Sequence, residues 1–420
     1  MTNLIDDSKA VLFPRLSHAN DTVKNVNLHR TDRIRLNINI YSEFPLTYYG
    51  GGERLILMLY KHLSLHLPNV KIIENNTHIM EKRIARDTIS EEVGPNLISV
   101  PFHRYGFPHF LYQDFPNLSD LTSPPKSIAL IFVRRLPPKS ILKVLKNSSN
   151  NFIFCLHGVA IERFHPAPLL VMIHQIVMRL QLNIFGPFIN GNVYAQCLTP
   201  HIRSHLIRRG ANEQNIFTIE NEFNSEIAEV VANNDFFQVI FIGRMQNLTK
   251  GIKFLRKVIR KTNNKKINIK FVIIGSGPDA NIMSNLRENV KFLNNANDEG
   301  KTKELQYSNL AIITSNLEPF PRVAQEFLSS GIPIISTPVS GPSFILQKDS
   351  LFGKVSTFSA TQFSEDIIEY YRRWQKDKSL YLENRMEIAK RAGNIFKVEN
   401  MLDSYLRMIL EINSRTQKID

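Results

Sequence analysis

Short apolar runs alternate with amphipathic stretches along most of this chain. The amphipathic stretches carry apolar residues three and four positions apart, which is the spacing of a helix with one buried face. The apolar runs are bounded by turn residues, as buried strands are. The clearest runs are residues 152–156, 194–199, 238–243, 269–274 and 310–314. Strands that alternate with helices in this way predict a doubly wound α/β fold with parallel sheets.

Two stretches near the ends of the chain have patterns of their own. Residues 34–40 alternate apolar and polar side chains. A strand buried on both faces is apolar throughout, so this pattern predicts a strand with one less covered face. Residues 398–412 have apolar side chains at helical spacing, which predicts a helix at the end of the chain.

The most apolar stretch is residues 169–182, which His174, Gln175, Arg179 and Gln181 interrupt. These side chains make the stretch too polar for a helix that spans a membrane. Two interpretations stay open: a helix buried in the core, and a helix lying on a membrane surface. The core interpretation is favoured.

Residues 318–326, Glu-Pro-Phe-Pro-Arg-Val-Ala-Gln-Glu, place two carboxylates eight positions apart across a predicted helix start. Pro321 suits the first helical position, because the amide that it lacks is not needed there. The helix is predicted to run to about residue 330, where Gly331 supplies the left-handed end. Residues 332–336 follow as a predicted buried strand.

This loop-to-helix turn is a candidate site for an anion. The amides of Arg322 and Val323, with the positive end of the helix dipole, are expected to face an anionic group. Glu318 lies at the mouth of the turn and Glu326 two turns inside the helix. A phosphorylated ligand with hydroxyl groups at both ends matches this layout. The alternative is that both glutamates are solvated on an ordinary surface helix.

Two neighbouring segments favour the phosphate interpretation. Arg244 follows one predicted strand, and Lys250 comes six residues later. The next predicted strand ends at Gly275 and Gly277, which let a base or a phosphate approach the backbone. The order of these segments, completed by the two-glutamate helix, resembles the retaining glycosyltransferases of family 4. The resemblance covers roughly residues 34–410 and is strongest over residues 238–342.

The resemblance implies a fold and a set of roles. The family has the GT-B architecture of two facing Rossmann-like domains. Arg244 and Lys250 would hold the diphosphate of a nucleotide-sugar donor. Glu318 would face the donor sugar, and Glu326 would bind the ribose hydroxyls. The remaining contacts that we predict with the donor are Gly51, Gly52, Gly275, Gly277, Phe320, Arg322 and Val323.

The N-terminal half carries two further matches to the family. Gly50, Gly51 and Gly52 resemble the family's glycine-rich loop ahead of the first helix, where the backbone passes close to the donor. The alternative is a flexible turn. His157 follows a predicted strand at the carboxyl edge of the sheet, where ligands of parallel sheets bind. The family places a functional histidine there, although a lone histidine is often structural.

The chain also departs from the family pattern. Pro321 stands where many relatives have glycine, so one amide that could contact a sugar hydroxyl is missing. Residues 340–343, Ser-Gly-Pro-Ser, lack the glutamate often found nearby. The identity of the donor sugar is therefore left open.

The predicted organisation has four parts. Residues 1–33 match nothing in the family and lack periodicity, which indicates a partly disordered extension. Residues 34–220 are predicted to form the acceptor-binding domain and residues 221–395 the nucleotide-sugar-binding domain. Residues 396–420 are predicted to form a C-terminal helix that crosses back to the first domain. A chain of 420 residues with 43% hydrophobic content suffices for two cores.

The net charge of +14 is distributed unevenly. Residues 1–210 contain 24 Lys and Arg against 14 Asp and Glu, or +10, and residues 211–420 contain 28 against 24, or +4. The excess suits an anionic membrane surface or a lipid-linked acceptor. The candidate contacts are residues 139–146, with three lysines among apolar side chains, and residues 203–209, although a charge run is often only a solvated face. No motif for nucleic acid binding is present, so nucleic acid is an unlikely partner.

We therefore predict a retaining glycosyltransferase, in the first instance a hexosyltransferase, which moves a sugar from a nucleotide-sugar to a glycan or lipid-linked acceptor. No Asp-x-Asp motif occurs, so we expect no metal and no other cofactor. Arg244, Lys250 and the helix N-terminus would instead stabilise the departing diphosphate. Glu318 and His157 would position the sugar and the acceptor.

Two other functions and a location complete the predictions. A glycan phosphorylase-like enzyme would need a pyridoxal-phosphate lysine, for which no convincing context is present. A catalytically silent protein that binds a sugar or nucleic acid on the same fold is the alternative from another class. Cys155 and Cys197 lie in predicted strands as buried thiols, and no signal sequence begins the chain. These features predict a cytoplasmic protein, with attachment to the cytosolic face of a membrane as a further option.

Overall fold

The structure is a computed structural model of the chain. It describes residues 36–48, 51–77, 86–104, 114–122, 124–133, 136–162, 169–222, 230–231, 235–284, 286, 289–294 and 298–417. The predicted extension at residues 1–33 and Gly50, the first glycine of the predicted glycine-rich loop, lie outside the described residues.

Two parallel sheets organise the chain. The strands of the first half are β1 (Asn37–Ser42), β2 (Asn69–Asn75), β3 (Leu97–Val100), β4 (His103–Arg104), β5 (Asp114–Phe115), β6 (Ser127–Phe132), β7 (Asn151–Cys155), β8 (Val193–Cys197) and β9 (Ile216–Thr218). Seven of them form a sheet in the order β3-β2-β1-β6-β7-β8-β9, in which every pair is parallel. The strands β4 and β5 form a separate antiparallel pair.

The second half repeats the same design. Its strands are β10 (Phe237–Ile242), β11 (Ile269–Ile274), β12 (Val290–Leu293), β13 (Leu310–Ile313), β14 (Ile334–Ser336) and β15 (Gly353–Val355). They lie in the order β12-β11-β10-β13-β14-β15, again with parallel pairs. The prediction of an α/β fold with two Rossmann-like domains is confirmed.

Helices connect the strands and cover the sheets. Those of the first domain are α1 (Gly51–His66), α2 (Arg86–Val93), α3 (Leu118–Thr122), α4 (Lys139–Lys146), α5 (Leu169–Phe185) and α6 (Pro200–Ile207). Those that follow are α7 (Asn247–Lys250), α8 (Ile252–Asn263), α9 (Asp298–Tyr307), α10 (Arg322–Ser329), α11 (Ser340–Leu346), α12 (Ala360–Lys376), α13 (Lys378–Ile395) and α14 (Val398–Gln417).

The last helix, α14, packs on the first domain. Met401, Tyr405 and Ile409 are buried in the same apolar cluster as residues of β1 and α1. A hydrogen bond fixes its far end, where Arg415 Nη1 donates to Gln214 O at 2.8 Å. The predicted crossover helix is thus confirmed, because its apolar face completes the core of the other domain.

The strand β1 corrects one prediction. The alternating pattern predicted a less covered face, but β1 lies between β2 and β6 and is buried on both faces. Asn39 is only 4% exposed and bonds with the Tyr41 hydroxyl within the core. A polar side chain with a hydrogen-bonding partner can be buried at small cost, so polarity alone did not reveal exposure.

The start of α10 differs by one residue from the prediction. Pro321 is the residue before the helix, with φ −79° and ψ 107°, and Arg322 is the first helical residue. Gly331 does end the helix in the left-handed region, at φ 68°. A Cβ on Gly331 would overlap the Arg385 carbonyl oxygen, so the glycine is also required by packing. The strand β14 then begins at Ile334, two residues later than predicted.

The helix α4 corrects the reason given for a membrane contact at residues 139–146. Ile141, Leu142 and Leu145 are buried in the core of the first domain. The apolar side chains that seemed available to a bilayer therefore hold the helix on its own sheet. The three lysines, Ser140 and Val144 face the solvent.

Candidate active site

The loops after β10 and β13 are joined into one unit. Thr314 Oγ1 donates to Lys250 O at 2.9 Å, and Asn316 N donates to Thr249 O at 2.7 Å. Gly251, at φ 65°, makes this approach feasible, because a Cβ there would overlap the Thr314 carbonyl oxygen. This backbone contact brings Lys250 of α7 beside Glu318.

Lys250 and Glu318 form an ion pair across these loops. The Glu318 residue is 8% exposed, and its carbonyl oxygen accepts from Gly341 N at 3.0 Å. A Cβ on Gly341 would lie 2.6 Å from Pro319 O, so only a glycine allows this close contact. The first turn of α11 therefore packs directly against the backbone at Glu318. Two residues predicted to serve different parts of a donor are therefore in direct contact.

Gly275 and Gly277 were predicted to let a base or a phosphate approach the backbone, but in the structure it is the protein's own backbone that approaches them. Their φ angles are 152° and 154°, and both face the loop that follows β10. A Cβ on Gly275 would overlap the Gly243 carbonyl oxygen, and one on Gly277 would lie 2.6 Å from Met245 O. Met245 N donates to Ser276 O at 2.8 Å across the same contact. The close approach that these glycines permit is thus made by the protein's own backbone.

Arg244 projects from the loop that Gly275 and Gly277 support. Its side chain is exposed and takes part in no ion pair among the residues that the structure describes. The predicted cations therefore differ in state. Lys250 is already neutralised by Glu318, whereas Arg244 faces solvent.

The guanidinium of Arg322, at the first position of α10, lies between the domains. Burial lowers the pKa of Arg322 to about 10, against the opposing effect of Glu326, and Arg54 of α1 lowers it further. Arg322 also helps to lower the pKa of His157 in the other domain. The sequence predicted that the backbone amide of Arg322 faces an anion. In the structure its guanidinium also lies in the cleft.

Glu326 lies one helical turn after Arg322, the first residue of α10, and not two turns inside the helix as predicted. It is paired with Lys301 of α9. The distance from Lys301 Nζ to Glu326 Oε2 is 2.5 Å, and both side chains keep some exposure. The predicted role of Glu326 as a ribose ligand stays a prediction. The structure adds that Lys301 fixes the position of its carboxylate.

His157 follows β7 and is held by the crossover helix. Its Nε2 lies 2.9 Å from Tyr405 OH and 3.1 Å from Gln196 Oε1. Gln196 Nε2 donates to Cys197 O and Ile219 O, so its Oε1 is the atom that accepts from His157. Nε2 of the ring therefore carries the hydrogen, which leaves Nδ1 as a hydrogen-bond acceptor.

The His157 ring is neutral at physiological pH. Burial lowers its pKa to about 4, and the positive charge of Arg322 adds to this effect. The Phe132 ring packs edge-on against it, with 5.0 Å between centroids. A neutral imidazole can position a hydroxyl group through Nδ1, but it cannot supply positive charge.

Glu162 is a site residue that the sequence reasoning missed. It extends from the first domain to the second, where its carboxylate accepts from Ser340 N at 2.7 Å and from Ser340 Oγ at 2.9 Å. Burial raises the pKa of Glu162 to about 7, an effect to which the nearby Glu318 adds. One sequence signal could have identified it, because Glu162 is the only acidic residue between positions 139 and 212.

The other predicted donor contacts fall into two groups. Gly51 and Gly52 begin α1, and a Cβ on Gly52 would meet no atom within 4 Å, so packing does not demand a glycine there. Phe320 is instead 5% exposed and packs in the core of the second domain, with Val323 against the same cluster. The Phe320 side chain therefore belongs to the core and not to the cleft surface.

Among the residues that the structure describes, no group of three or more His, Cys, Asp or Glu is arranged to hold a metal ion. Cys155 and Cys197 are free and fully buried, as predicted.

Comparisons with known proteins bear on this cleft. The family model described as glycosyl transferases group 1 matches residues 222–392, which hold Arg244, Lys250, Glu318 and Glu326. The chain carries a glycosyltransferase domain. An uncharacterized glycosyltransferase of Methanocaldococcus jannaschii is 28% identical over 160 residues, which span 36% of this chain and 40% of the relative. A second one from the same organism is 33% identical over 117 residues, spanning 27% and 29%. The chain thus matches less than half the length of either relative.

Solved structures show the same fold across both domains of this chain. Sucrose-phosphate synthase from Thermosynechococcus elongatus superposes with a TM-score of 0.66 at 14% identity, covering 91% of this chain and all of that one. Alr3699/HepE from Anabaena, solved with UDP and glucose, gives a TM-score of 0.62 at 15% identity, covering 90% and 100%. At these identities the likeness shows the GT-B fold alone.

Proposed function

We propose that this chain transfers a sugar from a nucleotide-sugar donor to an acceptor in the cleft between its two domains, with retention of the anomeric configuration. The observation that carries the proposal is the convergence of Lys250, Glu318 and Arg322 of one domain with His157 and Glu162 of the other. Cations suited to a diphosphate and groups suited to hydroxyls thus meet where the two domains face each other.

The donor is best sought among uridine nucleotide sugars. A protein of the same fold, Alr3699/HepE, was solved with UDP and with UDP-glucose, which makes this nucleotide the first to test. The exposed Arg244 is available for a diphosphate, and Glu326 is the candidate for the ribose. The sugar itself is left open, since Pro321 and residues 340–343 depart from the family pattern.

The chemistry follows from this arrangement. The bond between the anomeric carbon and the diphosphate oxygen breaks, and its electron pair leaves with the nucleotide. A hydroxyl oxygen of the acceptor forms the new bond on the same face, and its proton passes to the departing phosphate oxygen. Arg244 and Lys250 offset the charge that develops on the diphosphate. Glu318 and the neutral His157 hold the sugar and the attacking hydroxyl in place.

In this proposal Lys250 has two functions, because it also pairs with Glu318. The ion pair fixes the Glu318 carboxylate in a cleft where a flexible side chain would otherwise have several rotamers. The chemistry assigns no step to a metal. The acceptor is a glycan or a lipid-linked glycan, and a cytoplasmic location fits the two buried thiols.

The deciding experiment incubates the full chain with UDP-sugars, with and without acceptors, and follows UDP release. Slow hydrolysis of one donor without acceptor, stimulated by one acceptor class, is expected. Proton NMR of the first product decides the configuration, and loss of activity with EDTA that manganese restores would contradict the metal-free route. Nucleotide binding without turnover of any donor would favour a catalytically silent binding protein on the same fold.

A further inference from the structure

The helix α5 turns an apolar face to the solvent. Of the fourteen large apolar residues that are exposed in the described part of the chain, seven lie on α5. Their relative exposures range from 37% at Met172 to 70% at Leu169. They form one stripe along the helix, at positions 169, 170, 172, 173, 176, 180 and 184.

The opposite face of α5 is firmly attached to the domain. Met178, Leu182 and Phe185 are buried in the core, and Gln175 and Gln181 are buried with them. Gln175 Oε1 accepts from Glu162 N at 2.7 Å, and Gln175 Nε2 donates to Ala160 O at 3.2 Å. The helix therefore buries polar side chains that have hydrogen-bonding partners, and it exposes leucine and isoleucine side chains to solvent. Seven exposed large apolar side chains on one helix face make this stripe a candidate interaction surface.

The sequence on either side of the stripe is positively charged. Residues 139–212 contain eight Lys and Arg against the single acidic Glu162, which is buried. The helix α4, which packs beside α5, exposes Lys139, Lys143 and Lys146 together with the apolar Val144. Arg208, which follows α6, is exposed as well. An apolar stripe flanked by basic residues is the pattern of a helix that lies on an anionic bilayer.

The packing of α5 argues against a membrane-spanning role, and the area of its outer face argues against contact with a second copy of the chain. By length and composition Leu169–Phe188 could span a membrane, with a mean hydropathy of 1.4, which corrects the prediction that this stretch is too polar to do so. Its inner face, however, is packed in the domain. A seventeen-residue helix offers a face of about 250 Å², from its length and diameter. A stable protein dimer buries about 800 Å² on each partner, so this face alone is too small for a second copy.

We propose that α5 is the membrane-docking element of this protein, and that its outer face lies in the interface of a bilayer with anionic headgroups. The N-terminal end of α5 is close to the candidate active site. Val171 packs with Leu317 and with Leu248 of α7, next to the Lys250–Glu318 pair. Docking through α5 thus brings the cleft to the membrane surface, where a lipid-linked acceptor is found.

The test measures binding of the full chain to vesicles without any substrate, so that it is independent of the transfer reaction. Vesicles of phosphatidylcholine with phosphatidylglycerol are compared with vesicles of phosphatidylcholine alone. The variant Ile173→Gln/Ile176→Gln/Leu180→Gln removes three residues of the stripe, and Leu65→Gln/Leu380→Gln/Met386→Gln is the matched control on exposed apolar residues elsewhere. We expect the first variant to lose about tenfold or more in partitioning to anionic vesicles, and the control to bind as wild type does.

Charge and insertion are tested separately. Lys139→Gln/Lys143→Gln/Lys146→Gln should weaken binding at low ionic strength and have little effect at high ionic strength. Because both native cysteines are buried, Ile176→Cys can be labelled selectively with an environment-sensitive dye. Its emission should shift towards the blue with anionic vesicles, whereas the same dye on Leu380→Cys should not respond.

Three results would overturn the proposal. The wild-type chain could stay unbound at both ionic strengths. The α5 variant could bind as the wild type does. A dimer that the α5 variant abolishes, with no vesicle binding, would assign the stripe to a second copy of the chain instead.

Discussion

Replacing Glu162 by glutamine should make the stability of the protein less dependent on pH. In the folded protein the carboxylate accepts from Ser340 N and Ser340 Oγ, and these bonds favour its charged form. Burial opposes them and is the larger effect, so the pKa rises from 4.5 to about 7. The folded protein therefore binds a proton at a pH where the unfolded chain has released it.

The sign of the effect follows from this difference. The stabilising contribution of Glu162 is fully present below pH 4.5 and is lost as the pH rises through about 7. The loss amounts to about 3 kcal/mol, since each pKa unit corresponds to about 1.4 kcal/mol. A glutamine side chain carries no charge, so the Glu162→Gln variant should become more stable than the wild type with rising pH. At about 2 °C per kcal/mol, the difference in melting temperature should change by about 6 °C.

The assay is thermal unfolding of both proteins in matched buffers from below pH 4.5 to above pH 7. Glu222, whose pKa burial also raises to about 7, titrates in both proteins, so its effect cancels in the difference. Ser340→Ala removes one donor from the carboxylate and should move the transition to higher pH. A difference between wild type and Glu162→Gln that stays constant over the range would refute the reasoning, because it would mean that Glu162 does not titrate there.

Four further outcomes are expected. Lys250→Ala should lower kcat/KM by a factor that corresponds to about 2–4 kcal/mol, and Lys250→Arg should keep most of the activity; transfer by the alanine variant within about threefold of wild type would remove Lys250 from the site. Glu326→Gln should weaken nucleotide binding in calorimetry more than it changes sugar preference, and equal affinity would contradict a ribose contact. In Gly52→Ala the added methyl group meets no protein atom, so the variant should stabilise the helix by about 0.5–1 kcal/mol and weaken donor binding. In Gly275→Ala the methyl group would overlap the Gly243 carbonyl oxygen, so the melting temperature should fall. Unchanged donor affinity in Gly52→Ala would place the loop away from the donor. His157 has a pKa of about 4 against a usual 6.5, so its own contribution to stability should be lost as the pH drops through that interval, and the stability of the wild type relative to His157→Gln should fall with it; parallel pH profiles would disprove the shift.

Much of the fold could be predicted because its signals are local. The strand at 269–274 was predicted to the residue, and β10, β13, β7 and β8 within one or two residues. An apolar run bounded by turn residues needs no information from elsewhere in the chain. The left-handed end of α10 at Gly331 is a local signal of the same kind.

The candidate site was predicted only in part, because side chains that meet in it come from distant positions. His157 and Tyr405 are 248 positions apart, and Glu162 and Ser340 are 178 apart. The motif order identified Lys250 and Glu318, but not that they pair with each other. No motif identified Glu162, although its isolation in a basic region was visible.

The sequence by itself determined where strands and helices form and which segments carry anion-binding chemistry, since both depend on neighbouring residues. Only the tertiary structure decided which face of each helix is buried. In α4 three of the apolar residues among the lysines are buried in the core. In α5 Gln175 and Gln181 are buried, whereas Ile173 and Ile176 are exposed to solvent. The orientation of a helix that is apolar on both faces depends on which polar groups find hydrogen-bonding partners, and those partners exist only in the folded domain.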